Sequence, residues 1–135
     1  METGLLMYLG QDANVNAAIG QRVFGSMMPR GVALPAVVLQ TITTVQDTYT
    51  FANGVNDLRT KRVQVDVYGT TYEESIAVSN TVRRALENVQ RITLPNGVAV
   101  EGIFIRQERD LNFEDGSGIY VFRHLFEFDV VYHDV

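Results

Sequence analysis

Alternating apolar and polar residues mark the last part of the chain as a β-strand with two different faces. From Ile119 to Tyr132 the even positions are nearly all aromatic, whereas the odd positions include Arg123, Glu127 and Asp129. A period of two with one ring-rich face is typical of an antiparallel strand that packs one side against helices. The segment therefore predicts one long strand of an antiparallel sheet.

Other segments rich in β-branched residues predict the remaining strands. One begins after Pro35 and runs to about Thr44, or extends through Thr50. The next strand is predicted at Lys61–Tyr68, so that the two form an antiparallel pair joined by the long, polar, mobile loop Asp47–Thr60. A short strand at Arg22–Phe24 and a hairpin complete the set, the hairpin formed by Ile92–Leu94, the turn Pro95-Asn96-Gly97 and Val98–Arg106.

Two segments show helical periodicity. Leu5–Ile19 predicts one helix or two short ones, because Asp12 can cap a second helix and Gly20 can end it. After Gly69, the spacing Thr70-x-x-Glu73 predicts a capping box. A 3.6-residue period then predicts an amphipathic helix of about five turns, with its face at Tyr72, Ile76, Ser79, Val82 or Arg83, Leu86 and Val89.

Together these elements predict an α+β fold with a mostly antiparallel, mixed sheet of four to six strands. Two helices are expected to cover one side of the sheet, with a long mobile loop or hairpin arm outside it. A chain of 135 residues fits one domain, so we expect residues 1–135 to form a single unit.

Composition excludes several classes of function. The apolar runs are far shorter than the ~20 residues that cross a bilayer, so we expect no membrane association. The absence of cysteine removes disulfides, thiolate nucleophiles and cysteine-based zinc sites, and fits assembly in a cytoplasm. The net charge of −5 arises entirely in residues 101–135, and the only cationic cluster is Arg59, Lys61 and Arg62. Specific nucleic-acid binding is therefore not expected.

The polar motifs do not assemble into a catalytic or metal-binding pattern. His124 lies among aromatic residues, where a core histidine that is either satisfied by a partner or exposed at an edge is the simpler interpretation. The loop Asp110–Gly118 superficially resembles a calcium loop, but Asp115 stands where glycine is needed and Val121 where a bidentate glutamate belongs. We expect a polar hairpin tip, with no metal and no cofactor.

The carboxylates Asp66, Glu127 and Asp129 are the remaining enzymatic candidates, because they could meet across neighbouring strands. They lie on polar positions, where a carboxylate is expected to keep its ordinary pKa. Asp66 is accordingly interpreted as a solvated or interface residue, and no catalytic residue is predicted.

What remains is a rigid sheet with polar loops, as in a subunit that assembles with other copies or partners. The candidate interface residues are the polar side chains of the two loops and the adjoining strand, namely Asp47, Asn53, Asp57, Arg59, Lys61, Asp110, Glu114 and Asp115.

Several segments resemble one protein family. The order of ALPAVVLQ (33–40), RVQVDVYGTTYEES (62–75) and RRALE (83–87), preceded by GQRVFGSMMPRGVALP (20–35), is similar to the tail-completion or tail-terminator proteins of long-tailed bacteriophages. The resemblance covers roughly Asp12 to Leu86. It implies a virion protein that joins tail to head, with no catalytic residues to carry over.

The resemblance further implies a closed ring of identical subunits, expected to be sixfold, at the head-proximal end of the tail tube. Such a ring would be assembled in the host cytoplasm, would stop tube polymerisation and would dock the connector or stopper protein of the head. DNA would pass through its acidic lumen without specific binding. The alternatives are another component of the neck or head–tail connector, or a small enzyme or ligand-binding module built on the three carboxylates.

Overall fold

The computed structural model describes residues 1–46, 58–87, 89–114 and 120–133. In these ranges, three helices and seven strands follow one another. They are α1 (Glu2–Gln11), α2 (Ala13–Ile19), β1 (Val23–Gly25), β2 (Ala36–Gln46), β3 (Leu58–Gly69), α3 (Tyr72–Glu87), β4 (Gln90–Thr93), β5 (Ala99–Asp110), β6 (Phe113–Glu114) and β7 (Tyr120–His133).

Six strands lie side by side in the order β1-β2-β3-β7-β5-β4, and the two-residue β6 pairs with the start of β7. All pairings are antiparallel except that of β1 with β2, which is parallel. The predicted α+β class and the predicted four to six strands are thus confirmed. The last strand of the sequence lies inside the sheet, between β3 and β5.

One face of the sheet forms the core with the helices. The valines of β3 and the aromatic residues of β7 face the same side, since Val63 pairs with Phe128 and Val65 with Phe126. These four side chains are completely buried, together with apolar residues of all three helices. The predicted ring-rich face of β7 therefore forms the core.

The first helical segment, which was predicted to form one helix or two short ones, forms two helices. The side chain of Asp12 accepts hydrogen bonds from the backbone N–H groups of Asn14 and Val15, both at 3.0 Å. This N-cap begins α2, which packs against α1 and α3, while α1 and α3 contact the sheet. None of the helices in the described ranges is long and apolar enough to cross a membrane.

The predicted cap of α3 was wrong by one residue. Thr71, not Thr70, accepts the hydrogen bond from a backbone N–H, that of Glu74 at 3.1 Å. The Thr70 hydroxyl instead donates to the Glu74 carboxylate at 2.7 Å. The buried face of α3 consists of Ser75, Val78, Ser79, Val82 and Leu86, so that Ser79, Val82 and Leu86 of the predicted face are buried, whereas Tyr72 is exposed.

Gly69 explains why α3 can begin so close to the end of β3. A Cβ atom at this position would lie 2.9 Å from the backbone nitrogen of Ser75. Only glycine permits that approach, and it brings the first turn of α3 directly onto the sheet.

Substitution of the two threonines tests this cap. We expect Thr71→Ala to lower the free energy of unfolding by about 1 kcal/mol, because it removes the N-cap acceptor. Thr70→Ala is the matched control and should change it by less than about 0.5 kcal/mol. Urea denaturation followed by circular dichroism measures both; a larger loss for Thr70→Ala would contradict the assignment.

Candidate assembly surface

The face of the sheet turned away from the helices carries a network of ion pairs. In β7 the residues that alternate with the aromatic core residues point to this face, and they pair with polar residues of β3: Arg62 with Asp129, and Gln64 with Glu127. Charged side chains here are held by partners on neighbouring strands, so the face is polar but ordered.

Asp129 is the centre of the first cluster. Its two carboxylate oxygens accept hydrogen bonds from Arg62 Nε at 3.1 Å and from Arg106 Nε at 2.6 Å. Burial raises the pKa of the Asp129 carboxyl, but the hydrogen bonds and charges of the two arginines outweigh burial, so that its pKa lies below the usual range. Asp129 thus joins β3, β7 and β5 as a fixed anion.

Asp66 is the centre of the second cluster. Its interpretation as a solvated residue was wrong. Asp66 is only 2% exposed. Its carboxylate accepts hydrogen bonds from Gln64 and from Arg123 at 2.9–3.0 Å. The guanidinium of Arg123 also lies over the ring of Tyr68, 5.6 Å from its centroid. The arginine comes from β7, the strand paired with β3, so Asp66 is buried because a cross-strand cation compensates it.

Asp129 lacks the raised pKa that a carboxylate needs for general acid–base catalysis near neutral pH. Asp129 was expected to keep its ordinary pKa, and that expectation was wrong, because two arginines lower it. A general acid or base needs a pKa near the working pH, which requires a shift in the opposite direction. Asp66 and Asp129 are each neutralised by arginine, so their positions indicate a structural role.

His124 has the satisfied partner that its position predicted. Its Nδ1 lies 2.7 Å from the Asp110 carboxylate, and the Tyr72 hydroxyl donates to the same carboxylate at 3.5 Å. Within the described ranges, no group of three or more acidic or histidine side chains could hold a metal ion.

Two of the predicted interface residues are bound within the chain. The Lys61 ammonium lies on the helix side of the sheet, 2.7 Å from the Glu2 carboxylate and 5.8 Å from the Tyr132 ring centroid. It fixes α1 to the sheet. Asp110, bound to His124 and Tyr72, closes the end of the β5–β7 pair next to α3.

The other predicted interface residues are less informative. Arg59 lies in β3, with its backbone opposite Gln46 and Tyr132. Glu114 belongs to β6, where its backbone pairs with Tyr120. Asp47, Asn53, Asp57 and Asp115 lie outside the described residues. No observation on the described residues tests the eight as an interface, so they stay a prediction.

The sequence reasoning missed two exposed apolar side chains at the edges of the sheet, Ile42 in β2 and Phe104 in β5. They are 41% and 53% exposed. The signal was present, because both are large apolar residues in strands predicted from the pattern. The sequence pattern does not contain the order of the strands, which places β2 and β5 toward opposite edges of the sheet.

The fold defines a class: an α+β domain whose sheet is covered by helices on one face and carries ordered ion pairs on the other. The comparisons with known proteins give the family. The family model described as "Tail completion protein gp17" matches residues 3–133, so the chain belongs to this family. It is accordingly a structural protein of the phage-type virion.

The fold recurs in a solved virion. One chain of the structure titled "Virion of native gene transfer agent (GTA) particle" is similar over 98% of this chain and 94% of that chain, with a TM-score of 0.69 and 15% sequence identity. At this identity the likeness concerns the fold alone. A search of curated proteins found no match.

The role of the Asp129 cluster can be measured through its pH dependence. Because the folded-state pKa is lowered, the stabilisation is present above the unfolded pKa of about 3.9 and is lost as pH falls through the folded value. We expect Asp129→Asn to reduce the free energy of unfolding by roughly 2 kcal/mol at pH 7. The difference from the native protein should shrink below about pH 4.

Glu127→Gln is the matched control, because Glu127 lies on the same strand and the same face. It should have a much smaller effect at either pH. A loss for Asp129→Asn that is independent of pH would contradict the assignment of a charged, arginine-bound carboxylate.

Proposed function

We propose that this protein forms a hexameric ring at the head-proximal end of the tail tube, where it ends tube polymerisation and provides the docking face for the head connector. The observation that carries the proposal is the match to the tail completion family over residues 3–133. A protein that completes a tail must act at an end of the tube, and a closed ring is the geometry that both stops growth and leaves a passage.

A ring follows from symmetry when one surface of a subunit binds a different surface of the next and the rotation closes. The described face and edges offer such unlike surfaces, because β1 and β2 lie at one side of the sheet and β4 and β5 at the other. The partners of the ring would be a second copy of the chain, the tail tube protein and the connector or stopper on the head side.

The proposed unit is the whole chain, residues 1–135, acting without cofactor or catalysis. Support comes from the two buried aspartates, which are held by arginines on the face opposite the helices. DNA would pass the ring without specific contacts, because the net charge of −5 per subunit repels the phosphate backbone.

The proposal is tested by adding purified protein to tail tubes whose growth is incomplete. We expect the protein to bind one end of each tube and to stop further addition of tube protein, as measured by the length distribution in electron micrographs. Tubes incubated without the protein serve as the control. Continued elongation in the presence of bound protein would overturn termination.

Particles that lack the protein separate termination from the alternative role in the neck. Termination predicts overlong or ragged tails, because nothing limits polymerisation. Tails of normal length, unattached to filled heads, would instead identify a connector component.

A further inference from the structure

The ion pairs on the sheet face bury their carboxylates and expose their arginines. The side chain of Asp129 is 10% exposed, whereas those of Arg62 and Arg106, which bind it, are 43% and 55% exposed. Asp66 is buried in the same way beneath the side chain of Arg123. A partner that approaches this face therefore meets guanidinium groups first, with the carboxylates beneath them.

A fourth arginine extends this surface along β5. Arg109 lies opposite Leu125, which lies opposite Asp66, so its side chain is on the same face. It is exposed, and within the described ranges it has no ion pair. We call the four side chains the arginine face, namely Arg62, Arg106, Arg109 and Arg123.

The charge of this face is opposite in sign to that of the whole protein. Between its four arginines the described strands place three carboxylates, those of Asp66, Glu127 and Asp129. The chain as a whole has a net charge of −5, so the surplus anions of each copy lie on other surfaces. A second copy of this chain is therefore a partner whose charge complements the arginine face.

An exposed aromatic ring at the border of the arginine face favours a protein partner over a nucleic acid. Phe104 lies opposite Asp129 and thus on the same face, with its ring turned to solvent. A phosphate backbone would gain from the arginines alone. A protein surface would gain from the arginines and would also bury the ring.

The start of α3 carries uncompensated negative charge. Glu73 and Glu74 lie in its first turn, and neither has an ion pair within the described ranges; Glu74 accepts a hydrogen bond from the Thr70 hydroxyl. The other glutamates of the described helices and of β5 each pair with a lysine or an arginine, namely Glu2, Glu87, Glu101 and Glu108. The first turn of α3 is thus an anionic surface that the subunit itself does not neutralise.

Tyr72 adds an exposed ring to this anionic surface. It is 46% exposed, its hydroxyl lies 3.5 Å from the Asp110 carboxylate, and its ring meets that of Phe122 edge-on with centroids 6.4 Å apart. The start of α3 and the arginine face therefore have opposite charges, and each has a large ring beside the charged groups. They lie on different parts of the subunit, so a contact between them is heterologous, as a ring requires.

We infer that the arginine face of one copy binds the first turn of α3, Tyr72–Glu74, of the next copy. The contact sets two carboxylates against exposed guanidinium groups and removes Phe104 and Tyr72 from water. The inference rests on the proposed ring, to which it assigns the two unlike surfaces that join neighbouring subunits.

Exchange of charges across the contact tests the inference. Arg109→Glu alters the arginine face outside both carboxylate clusters, so the fold should be retained, as circular dichroism checks. Glu73→Arg alters the start of α3. Each variant alone should weaken association at least about tenfold, because like charges then face each other, and the double variant should recover most of that loss. Association is measured by analytical ultracentrifugation and by binding to tail tubes.

Arg84→Glu is the matched control. It makes the same substitution at an exposed arginine that has no ion pair within the described part of the chain, but in the last turn of α3. Association should change by less than about twofold, because only contacts across the interface are costly to reverse. A loss as large as that of Arg109→Glu would show that net charge alone governs association, and no recovery in the double variant would likewise overturn the contact.

Nucleic acid is the alternative occupant of the arginine face. If Arg109→Glu leaves ring formation unchanged and instead abolishes the retention of duplex DNA by the protein, the face binds DNA and the inference is overturned. Retention of duplex DNA by neither protein, together with loss of the ring in Arg109→Glu, supports the contact between copies.

The outcomes separate this inference from the proposed function. Rings that form and stop tube growth in both charge-reversal variants would overturn the contact and leave the terminator role intact. Loss and recovery of association by charge exchange, while tubes continue to grow past the bound native protein, would support the contact and overturn termination.

Discussion

The pairing register of β7 determines which side chains lie on each face of the sheet. Side chains of a strand alternate between faces, so a shift of one residue would move Phe128 out of the core and Asp129 into it. Burying an aspartate under helices without arginine would cost far more than the fold gains there. The observed register avoids this, since it places the rings beneath the helices and brings both Asp66 and Asp129 within reach of arginine side chains.

Local sequence patterns predicted a large part of this arrangement. The alternation in residues 119–132, the β-branched run after Pro35 and the cap at Asp12 each depend on neighbours in sequence, and each appears in the structure close to its predicted bounds. Thr71 was missed in favour of Thr70 because both threonines have a glutamate three residues later, and the choice between them depends on how α3 packs against Gly69 and the sheet.

Features that depend on contacts between distant parts of the chain could not be predicted from local sequence patterns. The insertion of β7 between β3 and β5 joins segments more than fifty residues apart in β3 and β7, and no local signal specifies it. The burial of Asp66 follows only once Arg123 is known to lie on the adjoining strand. Likewise, the exposure of Ile42 and Phe104 depends on the strand order, which places β2 and β5 next to the short outer strands β1 and β4.

The same strand order connects the fold to assembly. Two buried carboxylates bound by arginines tie the central strands together on one face of the sheet. A rigid sheet with two unlike sides is suited to repeat around an axis. The family assignment then relates this geometry to the completion of a phage-type tail.

Image reconstruction of the head-proximal end of the tail in assembled particles tests the central claim most directly. The account predicts a single closed ring of six copies above the last ring of tube protein. Density for this chain along the tube, at the distal tip, or as an open or unclosed assembly would contradict it.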